Sequence, residues 1–175
     1  MSKIEIYNEY DLNKTLNEIK SVEKIDDFID VISVFKSAPY FEILDKEACE
    51  KEFESYKDNG LALGYYVDGK IAGINCVLFD NPTAHSIKFS DNDKIAYYSG
   101  FAVKPEFRKR GIGSELLIYT DDYLESLNYF DYAYARILLQ GSMSEKIFAN
   151  NGFEDVYVDG ELIVDEVEYM RNNSF

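Results

Sequence analysis

Apolar residues alternate with polar ones over residues 3–7, where Ile4 and Ile6 face one way, and this pattern predicts a short strand. Leu12, Leu16 and Ile19 recur at i, i+4 and i+7, the spacing of an amphipathic helix, while residues 18–22 read equally well as a strand. From Asp26 the period is helical: Phe28, Ile32 and Phe35 share a face, and Asp26 and Asp27 sit where a helix start favours negative charge. A second helix is expected from about Asp45, burying Cys49, Phe53 and Tyr56 and stopping at Asn59-Gly60 as a left-handed cap. Leu61–Val67 and Ile71–Phe79 form a predicted hairpin across Asp68-Gly69, a pair suited to a type I′ turn. Residues 80–93 are polar and predict a loop; Lys94–Val103 reads as a strand. Residues 104–113 form a basic, glycine-bearing turn into a helix on which Leu116, Thr120, Tyr123 and Leu127 share a face, with Leu117 and Leu124 beside them. Tyr132–Leu139 is a further strand, followed by a short helix from about Ser142 to Asn150 that Asn151-Gly152-Phe153 closes in Schellman fashion. Val156–Val158 and Leu162–Tyr169 complete a last hairpin around Asp159-Gly160. This order predicts an α/β (α+β) fold with a mixed, largely antiparallel central sheet flanked by helices.

At 175 residues the chain is one domain's worth, with residues 1–24 an extension or a first strand or helix, and residues 25–175 the main body. Eighteen basic and 33 acidic residues leave a net charge of −15. A phosphate backbone or an anionic membrane wants a basic face, so neither nucleic acid nor membrane is an expected partner. No apolar run reaches the roughly 20 residues a membrane span needs, and the start Met1-Ser2-Lys3-Ile4-Glu5 does not read as a secretory signal. Two cysteines, Cys49 and Cys76, are too few for a disulfide scaffold, which points to a reducing, cytoplasmic setting. No His, Cys and Asp cluster has metal-ligand spacing.

The charge is uneven. Lys104, Arg108, Lys109 and Arg110 against Glu106 make a local charge of +3 in seven residues. Gly111 and Gly113 follow at once and open the helix. Glycine lets the backbone curl so that successive N–H groups converge on an anion, and the helix start adds the positive end of its dipole. A dinucleotide fingerprint fits worse, because Leu116 stands where its third glycine belongs, and there is no Gly-Lys-Ser/Thr of a Walker loop.

Arg108-Lys109-Arg110-Gly111-Ile112-Gly113, preceded by Phe101-Ala102-Val103-x-Pro105, resembles the signature loop of the GNAT N-acetyltransferase superfamily. Ile147-Phe148-Ala149-Asn150-Asn151-Gly152-Phe153 is similar to that family's later Leu-Tyr-x-x-x-Gly-Phe segment. The resemblance implies acetyl-CoA as co-substrate and no metal. Backbone N–H groups of Arg108, Lys109, Arg110, Gly111, Ile112, Gly113 and Ser114 would bind the coenzyme pyrophosphate. The strand end Phe101, Ala102 and Val103 would line the pantetheine arm, with Phe148 nearby. The Val103 N–H would serve as oxyanion donor to the thioester carbonyl, and the acceptor amine would enter between the first helix pair and the strands.

Three positions depart from the family pattern. The usual strand Glu is replaced, since Ile95, Tyr97 and Tyr98 stand at the comparable places and the nearest carboxylates are Asp91 and Asp93. The usual helix Tyr is Phe148, and the Asn after the next strand is Gly141. Tyr97 or Tyr98 must point into the cleft, because adjacent strand residues face opposite sides. Tyr132, Tyr134 and Arg136 share a face of their strand, so Tyr97, Tyr98 and Tyr134 are the candidate catalytic phenols. Cys76 reads as a small core residue and His85 as a surface residue. Seven acids and no base lie between Glu154 and Glu168, in a hairpin that borders the acceptor cleft of similar enzymes, which makes a cationic amine the expected acceptor, from a small molecule or a protein. The expected activity is therefore amine N-acetylation, with a homodimer allowed. The alternative is an acyl-CoA-binding sensor or interaction module that has lost catalysis.

Overall fold

The computed structural model describes residues 4–7, 16–33, 46–79, 92–128, 130–137, 143–155, 157–158, 161–162 and 167–172. Four helices, α1 (Ile25–Ile32), α2 (Lys46–Asn59), α3 (Ile112–Leu127) and α4 (Met143–Asn150), are described there. The strands are β1 (Ile4–Tyr7), β2 (Leu16–Ser21), β3 (Gly60–Val67), β4 (Lys70–Phe79), β5 (Ile95–Val103), β6 (Tyr132–Ile137), β7 (Glu154–Asp155), β8 (Tyr157–Val158), β9 (Glu161–Leu162) and β10 (Val167–Asn172). Eight of them form one sheet in the order β1-β2-β3-β4-β5-β6-β10-β7. Only the β5–β6 pair is parallel among the pairings of this sheet. The sheet is thus mixed, largely antiparallel and flanked by helices, as the element order predicts.

Helices on both faces explain why β3 and β4 read as nearly continuous apolar runs: both are buried along almost their whole length. One core gathers Leu61, Leu63, Tyr65, Val77, Tyr98, Leu116, Leu117, Phe148 and Phe153 on the α3/α4 side. The other gathers Phe28, Val31, Phe53, Tyr56, Ile74, Cys76 and Ala102 beneath α1 and α2. Asp68 and Gly69 both take positive φ (49° and 80°), which is the type I′ hairpin their sequence demands. Gly152 (φ 87°) ends α4, with the Phe153 N–H on Phe148 O and the Gly152 N–H on Ala149 O, the two bonds of a Schellman motif.

Four expectations change. Of the two readings open for Leu16 and Ile19 the strand holds, and it starts earlier than residue 18: Ile19 pairs across with Tyr65, and the cross-strand partners decide what a short apolar repeat could not. Gly60 is not a left-handed cap. It begins β3, and a Cβ there would lie 2.2 Å from Val77 O, so close approach is its reason. Leu127 is 45 % exposed rather than packed. The last hairpin divides: β8 and β9 form a separate ribbon, while β10 joins the main sheet between β6 and β7. Leu12, Phe35, His85 and Asp91 lie outside the described residues.

Candidate active site

β5 and β6 run side by side only from Ile95 opposite Tyr132 to Tyr98 opposite Ala135. Beyond Tyr98, β5 continues to Val103 without β6, so the sheet opens along that edge. A bulge at the same point sets Cys76 opposite Gly100 and Val77 opposite Tyr98, which leaves Ser99 as the extra residue. The Lys104 N–H donates to Ala72 O at 2.8 Å, in register with Gly73 opposite Val103. Alternation then turns the main-chain groups of Ala102 toward β4 and those of Phe101 and Val103 toward the open edge. Ala102 therefore lines the strand without offering its main chain; Phe101 turns both of its main-chain groups to the open edge and Val103 its N–H, the Val103 carbonyl being held by Arg108.

The open edge leads straight into the basic turn. Pro105–Phe107 form one 3-10 turn, closed by the Phe107 N–H on Lys104 O and the Arg108 N–H on Pro105 O. Lys109 (φ 64°) and Gly111 (φ 78°) take positive φ on either side of Arg110, whose φ is negative, the alternation of sign found in backbone nests. Gly111 is the N-cap of α3 and brings no side chain to it, so no cap oxygen of its own occupies the first-turn N–H groups of Ile112, Gly113 and Ser114. Glu115, the acid of that turn, is engaged by Tyr65 of β3; burial and then this carboxylate push the Tyr65 phenol well above its ordinary pKa.

The cations divide their work. Arg108 Nε donates to Val103 O at 3.1 Å, fixing the turn to the strand end. Arg110 lies over the Phe107 ring, 5.3 Å from its centroid, and its Nη2 reaches Glu106 O at 3.5 Å. Lys104 is paired with Asp30 of α1, so its charge serves the α1 contact rather than the loop. Arg108, Lys109 and Arg110 are all exposed and flank the nest.

Tyr98 faces the α3/α4 core, where its hydroxyl donates to the buried Asp121 and its ring lies 6.0 Å from Phe148 and 5.5 Å from Phe153. It is a packing residue committed to α3. Tyr97 faces the other way, and its ring lies 5.4 Å from that of Tyr134, which is fully buried. Phe148 is buried between Phe101 (5.3 Å) and Phe153 (4.9 Å). Cys76 is a buried core residue, its thiol pushed up by burial and by nearby Glu52. The side chain of Arg136 is outside the described residues. Among the described residues no group of three His, Cys, Asp or Glu is placed to hold a metal ion, and no helix is long and apolar enough to cross a membrane.

Sequence reasoning missed one cluster beside the open edge. Tyr56 of α2 donates to Glu52 Oε1 at 3.1 Å and shares a 2.7 Å hydrogen bond with Ser99 Oγ. Burial raises the Glu52 carboxyl above its usual value, opposed by the Tyr56 hydrogen bond. Burial, then Cys76 and Glu52, push the Tyr56 phenol far up as well. The available signal was Ser99-Gly100, a polar and flexible break inside an apolar strand.

The strand edge of Phe101 and Val103 thus runs directly into a basic helix start that carries no side-chain cap. The Acetyltransferase (GNAT) family model matches residues 26–153, and the chain belongs to that family. Solved structures with the same fold include the PaiA N-acetyltransferase from Thermoplasma acidophilum in complex with coenzyme A (18 % identity over 89 % of this chain and 98 % of that one, TM-score 0.62). A GNAT-family acetyltransferase from Streptococcus pneumoniae gives 15 % identity over 89 % and 98 %, TM-score 0.66. Arabidopsis thaliana NAA60 in complex with a bisubstrate analogue gives 12 % identity over 89 % and 97 %, TM-score 0.65. None of the curated protein sequences matches the chain.

Proposed function

We propose that this chain transfers the acetyl group of acetyl-CoA to a primary amine. The observation that carries the reading is the continuity of the β5 edge, from Phe101 to Val103, with the N–H nest over 108–114. The pyrophosphate sits on the first-turn N–H groups and the left-handed turn, between Arg108, Lys109 and Arg110. Phe101 and Val103 hold the pantetheine arm as an added strand would be held, and the Val103 N–H faces the thioester carbonyl where negative charge develops. Membership of an acetyltransferase family supports the reaction class. The acidic stretch over residues 154–168 supports a cationic acceptor, whether a small amine or a protein amine.

A second reading, a coenzyme-binding module without turnover, draws on Phe148, which has no proton to give a leaving thiolate, and on Tyr98, whose hydroxyl is held by Asp121. Thiol release from acetyl-CoA over a panel of primary amines separates the two. Amine-dependent release supports the transferase; tight coenzyme binding with no release on any amine leaves the module.

A further inference from the structure

Ser99 is the first residue of β5 beyond its pairing with β6, and its hydroxyl lies on the α1/α2 side of the sheet, against Tyr56. A phenol has one proton, and Tyr56 gives it to Glu52, so in the 2.7 Å contact Ser99 is the donor and Tyr56 Oη the acceptor. With Glu52 ionised, both hydroxyl protons run toward the carboxylate, and Ser99 Oγ keeps acceptor capacity for a further donor. A polar chain of this kind sits in surroundings that are otherwise apolar. Phe28 packs on the Tyr56 ring with centroids 6.0 Å apart, and a Cβ on Gly100 would lie 3.6 Å from Tyr56 Oη.

We infer that Glu52, Tyr56 and Ser99 form a proton relay that deprotonates the acceptor ammonium, taking the place of the strand carboxylate this chain lacks. The inference rests on the transferase reading above. The ammonium gives one proton to Ser99 Oγ as Ser99 passes its own to Tyr56 Oη and Tyr56 passes its own to the Glu52 carboxylate. The freed nitrogen lone pair attacks the thioester carbonyl carbon, the C–N bond forms, and the C–S bond breaks with its electron pair going to sulfur. The second nitrogen proton leaves as the tetrahedral species collapses and ends on sulfur, giving the free thiol and the amide. Glu52, which is only half-buried, then returns its proton to water.

Ser99 touches the substrate and is the catalytic residue; Tyr56 and Glu52 act through it. Among the described residues, the titratable groups facing Glu52 are Tyr56 on its own helix and Cys76 on β4; β5 presents Ser99, and α1 packs on this helix through Phe28. Burial raises the Glu52 carboxyl, which makes it a stronger base toward an ammonium than an exposed carboxylate.

The test compares wild type with Glu52→Gln, Tyr56→Phe and Ser99→Ala. Coenzyme A affinity is read by calorimetry and kcat against pH with acetyl-CoA and a panel of spermidine, lysine and a short peptide with a free N-terminus. The expected result is unchanged coenzyme affinity in all three variants and a kcat reduced about 100-fold at neutral pH. The remaining rate should climb with pH toward the amine's own pKa, while wild type levels off earlier. Acetylation with the same pH profile in the variants overturns the relay and leaves the transferase reading standing. Loss of coenzyme affinity in the variants shows a structural cluster and also overturns it. Coenzyme binding with no acetylation of any amine by wild type removes the transferase reading, and the relay with it.

Discussion

A Cβ built on Gly113 lies 3.1 Å from Phe101 Cζ and 3.0 Å from Ile147 Cδ1, so the first turn of α3 is pressed directly onto a ring near the end of β5. Gly111 is different: a Cβ there meets nothing within 4 Å, and its φ of 78° is what favours glycine. Gly113→Ala should therefore displace Phe101 and weaken coenzyme A binding. Gly111→Ala should cost about 1–2 kcal/mol through left-handed strain and alter binding less. Urea melts and calorimetry on both variants check the division; equal binding losses would refute it.

Phe148 is 2 % exposed and touches Phe101, Phe153 and Tyr98. Phe148→Ala should cost about 3–5 kcal/mol in urea denaturation. Restoring a phenol at this position should not restore an acid, because the hydroxyl would enter a packed ring cluster. Phe148→Tyr is expected to lose stability by about 1–3 kcal/mol without a rise in kcat, and a rise would count against this view.

Glu52 should act on stability with a definite sign. Its carboxyl is raised in the folded protein, so the folded state favours the protonated form. The benefit is complete below the ordinary glutamate range and is lost as pH rises through the raised value. Glu52→Gln should thus raise the melting temperature at pH 8 by more than at pH 4.5. Thermal scans at the two pH values read this directly, and an equal shift at both contradicts it.

Tyr98 and Asp121 form a buried pair at the junction of β5 and α3. Tyr98→Phe should destabilise the fold by about 1–3 kcal/mol, through the carboxylate left behind, while kcat for the best acceptor stays within twofold of wild type. A collapse of kcat with intact stability would return Tyr98 to the chemistry.

The features legible in sequence were those whose cause is local. Asp68-Gly69 and Gly152-Phe153 carry their backbone conformation in their own residue types, and the basic turn 104–113 announces itself by composition. Where a distant partner decides, the sequence was silent or misleading. Leu16 and Ile19 are strand residues because β3 pairs with them, and Gly60 answers to Val77 O across the hairpin. Lys104 counted toward the loop's charge until Asp30 of α1 proved to hold it. Tyr56 and Ser99 are 43 residues apart, and neither position carries a mark of the other. The adjacency of Tyr97 and Tyr98 predicted that one of them faces the cleft side, yet only the bond to Asp121 says which does not.

The central claim is that the N–H nest around Gly111 holds the coenzyme pyrophosphate. Gly113 is a poor place to test it, since any side chain there strikes Phe101 and Ile147. Gly111 is exposed with open space around it, and Asp and Asn both tolerate its left-handed conformation. Calorimetric titration of coenzyme A into wild type, Gly111→Asn and Gly111→Asp isolates the charge from the shape. The prediction is near-native affinity for Gly111→Asn and at least a roughly tenfold loss for Gly111→Asp, about 1.4 kcal/mol. Coenzyme A binding to Gly111→Asp as tightly as to wild type would contradict it.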